Sequence, residues 1–415
     1  MKKKNIYYIK KKKYFKLRYK KKKSNFFSFF IIKIFFSLIL FLIYGLFEFL
    51  NIVPNFNNNE IKIIKNNEYE IFNKMKSKLA DPLFKTLIKE ISIIKHIYSD
   101  KTKFFKREKN IINIEIGINN NEDFKYIMYV SMFSLLFNCN KKNTFIIYHI
   151  LCSPDFNESS IAIFEPLIRN YSENVEMIFY NMGNLFMNRK IDKNPPVTFY
   201  RLITQLFIDS DRIIHLDGDC LILSDLYEMY NLNFDGNYVL GFYDVIPNAV
   251  DYLGINSTKY INAGVILLDL EKIIKDNKTK EIIDLTTNTD FKLNNYDQTV
   301  INYLFYPKIG RLPSKYGLFN FGDKNDLIKY NNIIRTKIPI EELEDALNNP
   351  GVVHLVLCWP KAWLITSNYR ICYTRCTERN DCRCKKYFDL WHFYANKTEY
   401  YERIASFTGV KKKIY

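Results

Sequence analysis

The chain contains few cysteines for its length, and its N-terminal end contains no acidic residue. Eight cysteines among 415 residues are too few for a disulfide-dense miniprotein. Hydrophobic residues make up 48% and aromatic residues 16% of the sequence, which excludes a wholly disordered chain. A chain of this length has room for one large or two ordinary domains.

The positive charge of the chain is concentrated at its N-terminus. Twelve lysines and one arginine lie between Met1 and Lys23, and the first acidic residue is Glu48. The remainder of the chain carries 48 basic and 44 acidic residues, although the whole sequence has a formal net charge of +17. Because the body is nearly neutral, we predict that nucleic acid is not a partner.

A long apolar run follows the basic tail. Phe26–Phe47 contains 22 residues with one charge, Lys33, and would span about 33 Å as a helix, close to the thickness of a bilayer core. A cleaved signal peptide is the alternative, but the run is long for one and no small-x-small cleavage pattern follows it. We predict a basic cytoplasmic tail (1–25), a single transmembrane helix (26–47) and a type II protein. Its body would be luminal, in the Golgi or endoplasmic reticulum, or extracytoplasmic.

Three regions follow the predicted anchor. Residues 48–109 mix charges with apolar residues at helical spacing, which predicts a stem made of a spacer helix or coil. Residues 110–370 are predicted to form the catalytic domain, and residues 371–415 a Cys-rich and helical extension. Four cysteines of this extension are expected to form disulfides, with structural zinc as the alternative: Cys372, Cys376, Cys382 and Cys384. The other four are expected to be buried and unpaired: Cys139, Cys152, Cys220 and Cys358.

Apolar strand patterns alternate with helical patterns from residue 110 onward. This alternation predicts an α/β domain with a mainly parallel central sheet. In such a sheet the ligand binds at the carboxyl ends of the strands. The predicted strands are 111–118, 144–151, 175–180 and 212–216, and the helices between them include 126–137 and 200–208.

Two carboxylates follow the fourth predicted strand. Asp217-Gly218-Asp219 comes directly after the apolar segment Arg212–Leu216. Carboxylates at this spacing, on a turn that leaves a sheet, can share a divalent cation that holds a diphosphate and neutralises charge on a departing nucleotide. We interpret the similar triplet Asp209-Ser210-Asp211 as the end of a helix.

Three more motifs lie downstream. Asn262-Ala263-Gly264 is predicted to form a small-residue turn that leads into a buried strand and lets a ligand approach the backbone. Asp297 and Gln298 precede an apolar helical segment, and His354 ends a short apolar run before Lys361. Taken alone, such a histidine is more often a core residue, and such a lysine is usually solvated.

In this order and spacing, the motifs resemble those of glycosyltransferase family 8. That family contains glycogenin and the bacterial lipopolysaccharide galactosyl- and glucosyltransferases. The resemblance extends over Ile111–Trp363, about 60% of the chain. It implies a GT-A (Rossmann-like) nucleotide-sugar-binding fold, a UDP-sugar donor, Mn²⁺ as the cofactor and retention of the anomeric configuration.

The resemblance also implies roles for individual residues. Asp217, Asp219 and His354 would ligate the metal, and an oxygen and nitrogen ligand set suits Mn²⁺ better than an all-sulfur set. Lys361 would contact the diphosphate as a point charge on the leaving group. Donor-binding positions would further include Asn119, Asn120, Arg201, Gly218, Asn262, Ala263 and Gly264.

The group that faces the anomeric carbon stays open. Gln298 matches the position beneath this carbon, and an amide is a poor nucleophile. The resemblance therefore favours front-face attack, assisted by an oxygen of the leaving group, over a covalent intermediate. Asp297 is expected to contact sugar hydroxyls. Alternatively, Asp297 or Asp244 acts as a nucleophile or orients the acceptor.

The chain departs from the family pattern at two places. Asn119 and Asn120 stand where the family usually has an Asp-Asp pair that helps to seat the uridine. Asparagine still donates and accepts hydrogen bonds, so nucleotide binding is retained as an expectation. One additional residue separates His354 from Lys361 compared with the bacterial pattern, so this loop must bulge to keep both groups on one ligand.

We therefore predict a retaining, Mn²⁺-dependent glycosyltransferase that uses UDP-glucose or UDP-galactose and a glycan, glycolipid or glycoprotein acceptor. One alternative is a catalytically silent luminal protein of the same fold that binds carbohydrate or protein. Intact Asp217, Asp219 and His354 argue against it. A second alternative is a self-glycosylating, glycogenin-like initiator, which would need an acceptor among the 31 tyrosines.

Overall fold

A computed structural model of the chain describes most of the sequence after residue 81. The predicted tail and anchor (residues 1–47) lie outside the described residues, as do Cys358, Cys372, Cys376 and Cys382. Among the helices of the described part, none is both long enough and apolar enough to cross a membrane. The described residues are 61–64, 82–99, 102, 105–187, 197–244, 254, 259–288, 291, 293–321, 323–334, 336–356, 361, 363 and 383–408.

Strands and helices alternate along the described chain. A 3₁₀ helix occupies Val197–Leu206, and a second, short one occupies Ser314–Tyr316. The other elements are β1 (Ile61–Ile64), α1 (Pro82–Glu90), β2 (Ser92–Ser99), β3 (Asn110–Ile118), α2 (Glu122–Asn138), β4 (Thr144–Cys152), α3 (Glu158–Ala162), α4 (Glu165–Asn170), β5 (Val175–Asn181), β6 (Arg212–Leu216), β7 (Cys220–Ile222), α5 (Tyr227–Tyr230), β8 (Val239–Tyr243), β9 (Ile261–Asp269), α6 (Leu270–Lys275), α7 (Lys278–Thr287), α8 (Tyr296–Phe305), β10 (Ile309–Arg311), β11 (Leu318–Phe319), α9 (Lys324–Ile333), α10 (Ile340–Asn348), β12 (Val352–His354), α11 (Arg383–Ala395) and α12 (Tyr401–Thr408).

A nine-stranded mixed sheet organises the fold, in the order β1-β2-β5-β4-β3-β6-β9-β8-β10. The four consecutive strands β5, β4, β3 and β6 run parallel, and β9 pairs antiparallel with both β6 and β8. The predicted strands match β3, β4, β5 and β6 to within one residue at each end. All nine residues of β4 are buried, because helices cover both faces of the sheet. The predicted α/β domain with a parallel centre is therefore confirmed.

Helix α2 covers one face of the parallel strands. Asn121 caps it, because the Asn121 side chain accepts hydrogen bonds from the backbone N–H groups of Asp123 and Phe124. The helix is apolar around its whole circumference and is almost entirely buried. On its other side it contacts α11, where Trp391 lies in the same apolar core. The extension predicted to be helical contains two helices in its described part, α11 and α12.

The predicted stem overlaps the sheet. Strand β2 pairs antiparallel with β5, and Ile93 and Ile97 are buried in the core. Helix α1, which precedes β2, confirms the helical spacing of Phe84 and Ile88. The boundary predicted at residue 110 is therefore wrong for this segment, which forms part of the folded domain. The sequence did not reveal that β2 pairs with β5, because the polar residues of β2 contact residues far away in the sequence. Lys95, for example, forms an ion pair with Glu165.

Two local predictions also need correction. Asn262-Ala263-Gly264 is not a turn, because these residues lie inside strand β9. The register between β8 and β9 shifts here, where Gly241 pairs with Ile266 but Phe242 pairs with Asn262. This irregularity frees the backbone of residues 263–265 from β8, as in a β-bulge. The helix predicted at 200–208 is the 3₁₀ helix Val197–Leu206.

Candidate active site

Three strands bring the candidate metal ligands together. Asp217 follows β6, and its backbone N–H donates to the carbonyl of Gly264 in β9 at 2.7 Å. Asp219 directly precedes β7 in a second, three-stranded sheet ordered β11-β12-β7. In this sheet His354 is the cross-strand partner of Cys220. Residues more than 130 positions apart in the sequence thus lie next to each other.

The imidazole of His354 lies between the two carboxylates. Its Nε2 is 3.1 Å from Asp219 Oδ1 and 3.7 Å from Asp217 Oδ2. Lys361 contacts the other oxygen of Asp219, with 2.7 Å between Nζ and Oδ2. Gly264 leaves the space for this arrangement, because a Cβ at this position would be 2.2 Å from His354 Cε1 and 2.7 Å from Asp217 Oδ2.

Neighbouring basic side chains keep both aspartates ionised. Burial opposes ionisation of Asp217, but Arg201 and His215 outweigh it and hold the pKa of this carboxyl well below its usual range. Burial also opposes ionisation of Asp219, and here His354 and Lys361 lower the pKa. Both groups are therefore available as anionic oxygen ligands at neutral pH.

Arg201 connects the metal-side residues to Asp297. Its guanidinium donates to Asp217 Oδ1 at 2.9 Å and to the carbonyl of Ala263, and its Nε lies 3.2 Å from Asp297 Oδ2. Burial raises the pKa of Asp297, although the charge of Arg201 opposes this shift. Both side chains are almost completely buried. Asp297 thus contacts Arg201 and helps to hold its guanidinium in place.

A second cluster consists of amides around one carboxylate. Asp244 Oδ2 accepts hydrogen bonds from Asn262 Nδ2 at 3.0 Å and from Gln298 Nε2 at 2.9 Å. Gln298 Nε2 also lies 3.1 Å from the hydroxyl of Tyr260, and Gln298 Oε1 accepts from the N–H of Ala263 at 3.0 Å. Ala263, one residue before Gly264, links this cluster to the metal-side residues. The amide of Gln298 is therefore fixed in orientation by these protein contacts.

The two asparagines that follow β3 have different surroundings. Asn119 borders a cavity of about 560 Å³. Asn120 instead accepts hydrogen bonds from Lys125 Nζ at 3.1 Å and Ser160 Oγ at 2.7 Å, and donates to the carbonyl of Asp155 at 3.1 Å. Its side chain thus joins β3 to α2 and α3. The cavity is lined by Gly117, Asn119, Asn121, Asp123, Phe124, Ile127, Val197, Thr198, Arg201, His215, Asp217, Gly218, Asp219 and Trp363.

Two buried residues behind Asp217 were missed by the sequence analysis. His215 Nε2 is 3.2 Å from Asp217 Oδ1, and His215 Nδ1 is 2.9 Å from Glu115 Oε1. A signal was present in both strands. Glu115 is the one charged residue of β3, and His215 lies two residues before Asp217, on the same side of an extended chain.

The candidate ligand atoms of the site suit a divalent cation. Among the described residues, one group of three side chains brings ligand atoms within 4.8 Å of one another, namely Asp219, Cys220 and His354. Burial raises the pKa of the Cys220 thiol well above its usual range, and the two aspartates add to this effect, so the thiol stays protonated. Asp217 is already ionised and lies beside His354, so two carboxylates and one imidazole are the better set for a hard ion such as Mn²⁺.

Comparison with known proteins agrees with this geometry. The sequence model of glycosyl transferase family 8 matches residues 115–364. The chain belongs to glycosyltransferase family 8. This membership confirms the predicted resemblance to a family of glycosyltransferases.

Individual relatives are distant. A putative glycosyltransferase of Haemophilus influenzae is 28% identical over 224 residues, which are 51% of this chain and 64% of that protein. A lipopolysaccharide 1,2-glucosyltransferase of Escherichia coli is 25% identical over 231 residues, 52% of this chain and 65% of that protein. The chain thus spans slightly less than two thirds of these two relatives.

A solved structure supports the fold. The galactosyltransferase LgtC, crystallised with donor and acceptor sugar analogs, superposes with a TM-score of 0.50 at 17% identity. The superposition covers 71% of this chain and all of LgtC. The predicted GT-A-type fold is therefore confirmed.

Proposed function

We propose that the chain transfers a hexosyl unit from a UDP-sugar to a glycan or glycoconjugate acceptor, with Mn²⁺ as the cofactor and with retention of the anomeric configuration. The observation that carries the proposal is the convergence of Asp217, Asp219 and His354 beside the cavity. Hexose as the transferred sugar is supported by the names of two similar proteins, a glucosyltransferase and a galactosyltransferase.

The leaving group would be handled at the metal side of the site. Asp217, Asp219 and His354 would hold Mn²⁺, which when bound neutralises charge on the departing diphosphate. Lys361 Nζ lies 2.7 Å from Asp219 and 2.9 Å from the carbonyl of Leu355. From this position its ammonium would move its contact from Asp219 to a phosphate oxygen. It would thus place a second positive charge beside the leaving group.

The amide cluster would bind the sugar. Asn262 and Gln298 present amide groups that are held in place by Asp244, and such fixed donors and acceptors suit sugar hydroxyls. Because an amide is a poor nucleophile, the surroundings of Gln298 favour front-face attack over a covalent intermediate. Asp244 is the nearest carboxylate to this amide among the described contacts, and it stays the alternative nucleophile.

The nucleotide would lie in the cavity at the carboxyl ends of β3 and β6. Asn119 borders this space, and its amide would pair with the base or ribose in place of the usual carboxylate. Asn120 would act indirectly, through its hydrogen bonds to Lys125 and Ser160, by holding the loop that carries Asn119.

The test is donor turnover by the full chain purified in detergent. Release of UDP is followed for a panel of UDP-sugars with Mn²⁺ or with chelator, and the first sugar anomer released is identified by proton NMR. We expect turnover of UDP-glucose or UDP-galactose that requires Mn²⁺ and gives the α-anomer first. Turnover that chelator leaves unchanged would contradict the metal assignment, and first release of the β-anomer would contradict retention.

The membrane topology is proposed from the sequence alone. The basic tail (1–25) and apolar run (26–47) would anchor the chain as a single-pass type II protein, with the transferase domain luminal, as in the Golgi or endoplasmic reticulum, or extracytoplasmic. Protease protection of intact vesicles tests this orientation. The domain should resist protease until detergent is added, and degradation without detergent would overturn the proposal.

A further inference from the structure

The two oxygens of Asp217 have different partners. Oδ1 accepts a hydrogen bond from an Arg201 terminal nitrogen at 2.9 Å and lies 3.2 Å from His215 Nε2. Oδ2 faces His354 Nε2 at 3.7 Å. Two protein nitrogens therefore contact one oxygen, and the other oxygen faces His354.

His215 is itself held in place by Glu115 at its other ring nitrogen. Its Nδ1 is 2.9 Å from Glu115 Oε1, and Glu115 Oε2 accepts a hydrogen bond from the hydroxyl of Thr204. Glu115 and His215 are register partners in the parallel strands β3 and β6, so the sheet fixes the distance between them. The side chain of Glu115 is 0% exposed and that of His215 is 3% exposed.

This chain of contacts leaves the imidazole little freedom. A carboxylate at Nδ1 fixes the ring orientation, and the ring plane then aims Nε2 at Asp217 Oδ1. A fully buried carboxylate and imidazole are costly to place in an apolar sheet unless they are paired with each other. The pairing accounts for the burial of both side chains. The Nε2 side of the imidazole faces Asp217, one of the candidate metal ligands.

We propose that Glu115 and His215 are positioning residues that fix the rotamer of Asp217, so that Oδ1 is occupied by the protein and Oδ2 alone is presented to the metal. The inference rests on the proposed function, because it takes Asp217 as a metal ligand. Neither residue contacts the substrate, and Asp217 would therefore bind the ion through a single oxygen.

Two substitutions of similar size separate positioning from a purely structural role. In H215Q the amide nitrogen reaches about as far as the histidine Nε2, so the contact with Asp217 is kept. In H215N the amide is shorter, so it reaches only as far as Nδ1 and keeps the contact with Glu115 alone. Both variants place an amide in the same buried space, and their thermal unfolding is compared first to show that both are folded.

The readout is Mn²⁺ affinity of the full chain without donor, measured by electron paramagnetic resonance of the free ion. We expect H215N to bind Mn²⁺ about 10- to 100-fold more weakly than wild type, which is the usual effect of losing an outer partner of a metal ligand. H215Q should keep most of the wild-type affinity. Removal of the carboxylate in E115L should weaken binding in the same direction as H215N.

Failure of the positioning role can be distinguished from failure of the metal assignment. If wild type binds Mn²⁺ and H215N, H215Q and wild type have equal affinity, the positioning role is wrong while the proposed metal site stands. If wild type itself binds no Mn²⁺, with or without UDP, the metal assignment of the proposed function fails, and the positioning role fails with it.

Discussion

At the residue scale, the site depends on charged groups that compensate one another before any ligand is present. Asp217 pairs with Arg201, and Asp219 pairs with His354 and Lys361. A buried carboxylate without such partners would be protonated and a poor metal ligand. The same ion pairs explain how the acidic motif folds as a preformed site, in which a metal and a diphosphate would exchange partners with groups already in place.

Gly264 is predicted to be essential because it lies against the ring of His354. In G264A the new methyl group would clash with an imidazole ring and a carboxylate oxygen, neither of which can move without leaving the site. We expect Mn²⁺-dependent UDP release to fall by about 100-fold or more, the scale of losing one oriented electrostatic group. Steady-state rates, together with circular dichroism to verify folding, measure this. Wild-type activity in G264A would show that His354 is not needed where the structure places it.

Cys220 provides the converse prediction. Its thiol is close to Asp219 and His354, but burial keeps its pKa high, so it should not ligate Mn²⁺. C220A should therefore bind Mn²⁺ with wild-type affinity, with a small loss of stability from the cavity that the missing sulfur leaves. Mn²⁺ titration by calorimetry compares the two proteins. A tenfold weaker affinity in C220A would make the thiol a ligand.

The sequence predicted the candidate metal ligands better than the residues that hold these ligands in place. Asp217, Asp219 and His354 stand out because acidic or imidazole groups follow apolar strands. Glu115 and His215 instead lie inside β3 and β6, and their pairing depends on the register of these two strands, which a single sequence does not define. Register between parallel strands comes from the whole sheet, so side chains that support other side chains are hard to predict.

At the scale of elements, the irregular strand β9 gives the site its shape. The shift of register beside Gly241 frees the carbonyl of Ala263 from β8, and this carbonyl accepts from Arg201. On the opposite side of β9, the carbonyl of Gly264 accepts from the backbone N–H of Asp217. The sequence predicted a turn here, because small residues usually indicate one. The outcome differs because apolar residues on both sides keep the chain extended in the sheet.

Helix α11 contains an acid-sensitive residue. Both ring nitrogens of His392 are buried without a hydrogen-bond partner among the described residues, and burial lowers its pKa from 6.5 to about 4. The neutral ring is the stable form, so its contribution to stability is present above pH 6.5 and is lost as the pH falls toward 4.

H392L removes this titration and keeps an apolar side chain of similar volume. We expect H392L to unfold at a higher urea concentration than wild type at pH 4.5. Its free energy of unfolding should exceed that of wild type by on the order of 2 kcal/mol at this pH, with a much smaller difference at pH 7.5. Other buried histidines are common to both proteins and cancel in the comparison. An equal pH dependence in both proteins would show that His392 is solvated or paired in solution.

At the scale of the whole molecule, the candidate site combines residues of the nine-stranded sheet with residues of the second, three-stranded sheet. The parallel strands place Asn119 and Asp217 at the same edge of the sheet, and the second sheet brings His354 to that edge although it lies 135 positions from Asp219. The alternation of strands and helices was sufficient to predict the parallel centre. Strand β2 was not predictable, because its antiparallel pairing with β5 joins residues that lie far apart in the sequence.

The central claim is that this family 8 member uses Asp219 as a ligand of a catalytic metal. The most direct measurement is UDP release from the preferred UDP-sugar by wild type and D219N, each with Mn²⁺ and with chelator. Asparagine keeps the size of the side chain, so the fold should be intact while one anionic ligand is lost. We predict a loss of about 100-fold or more in D219N with Mn²⁺, to the level of wild type in chelator. Wild-type rates in D219N at saturating donor would contradict the account.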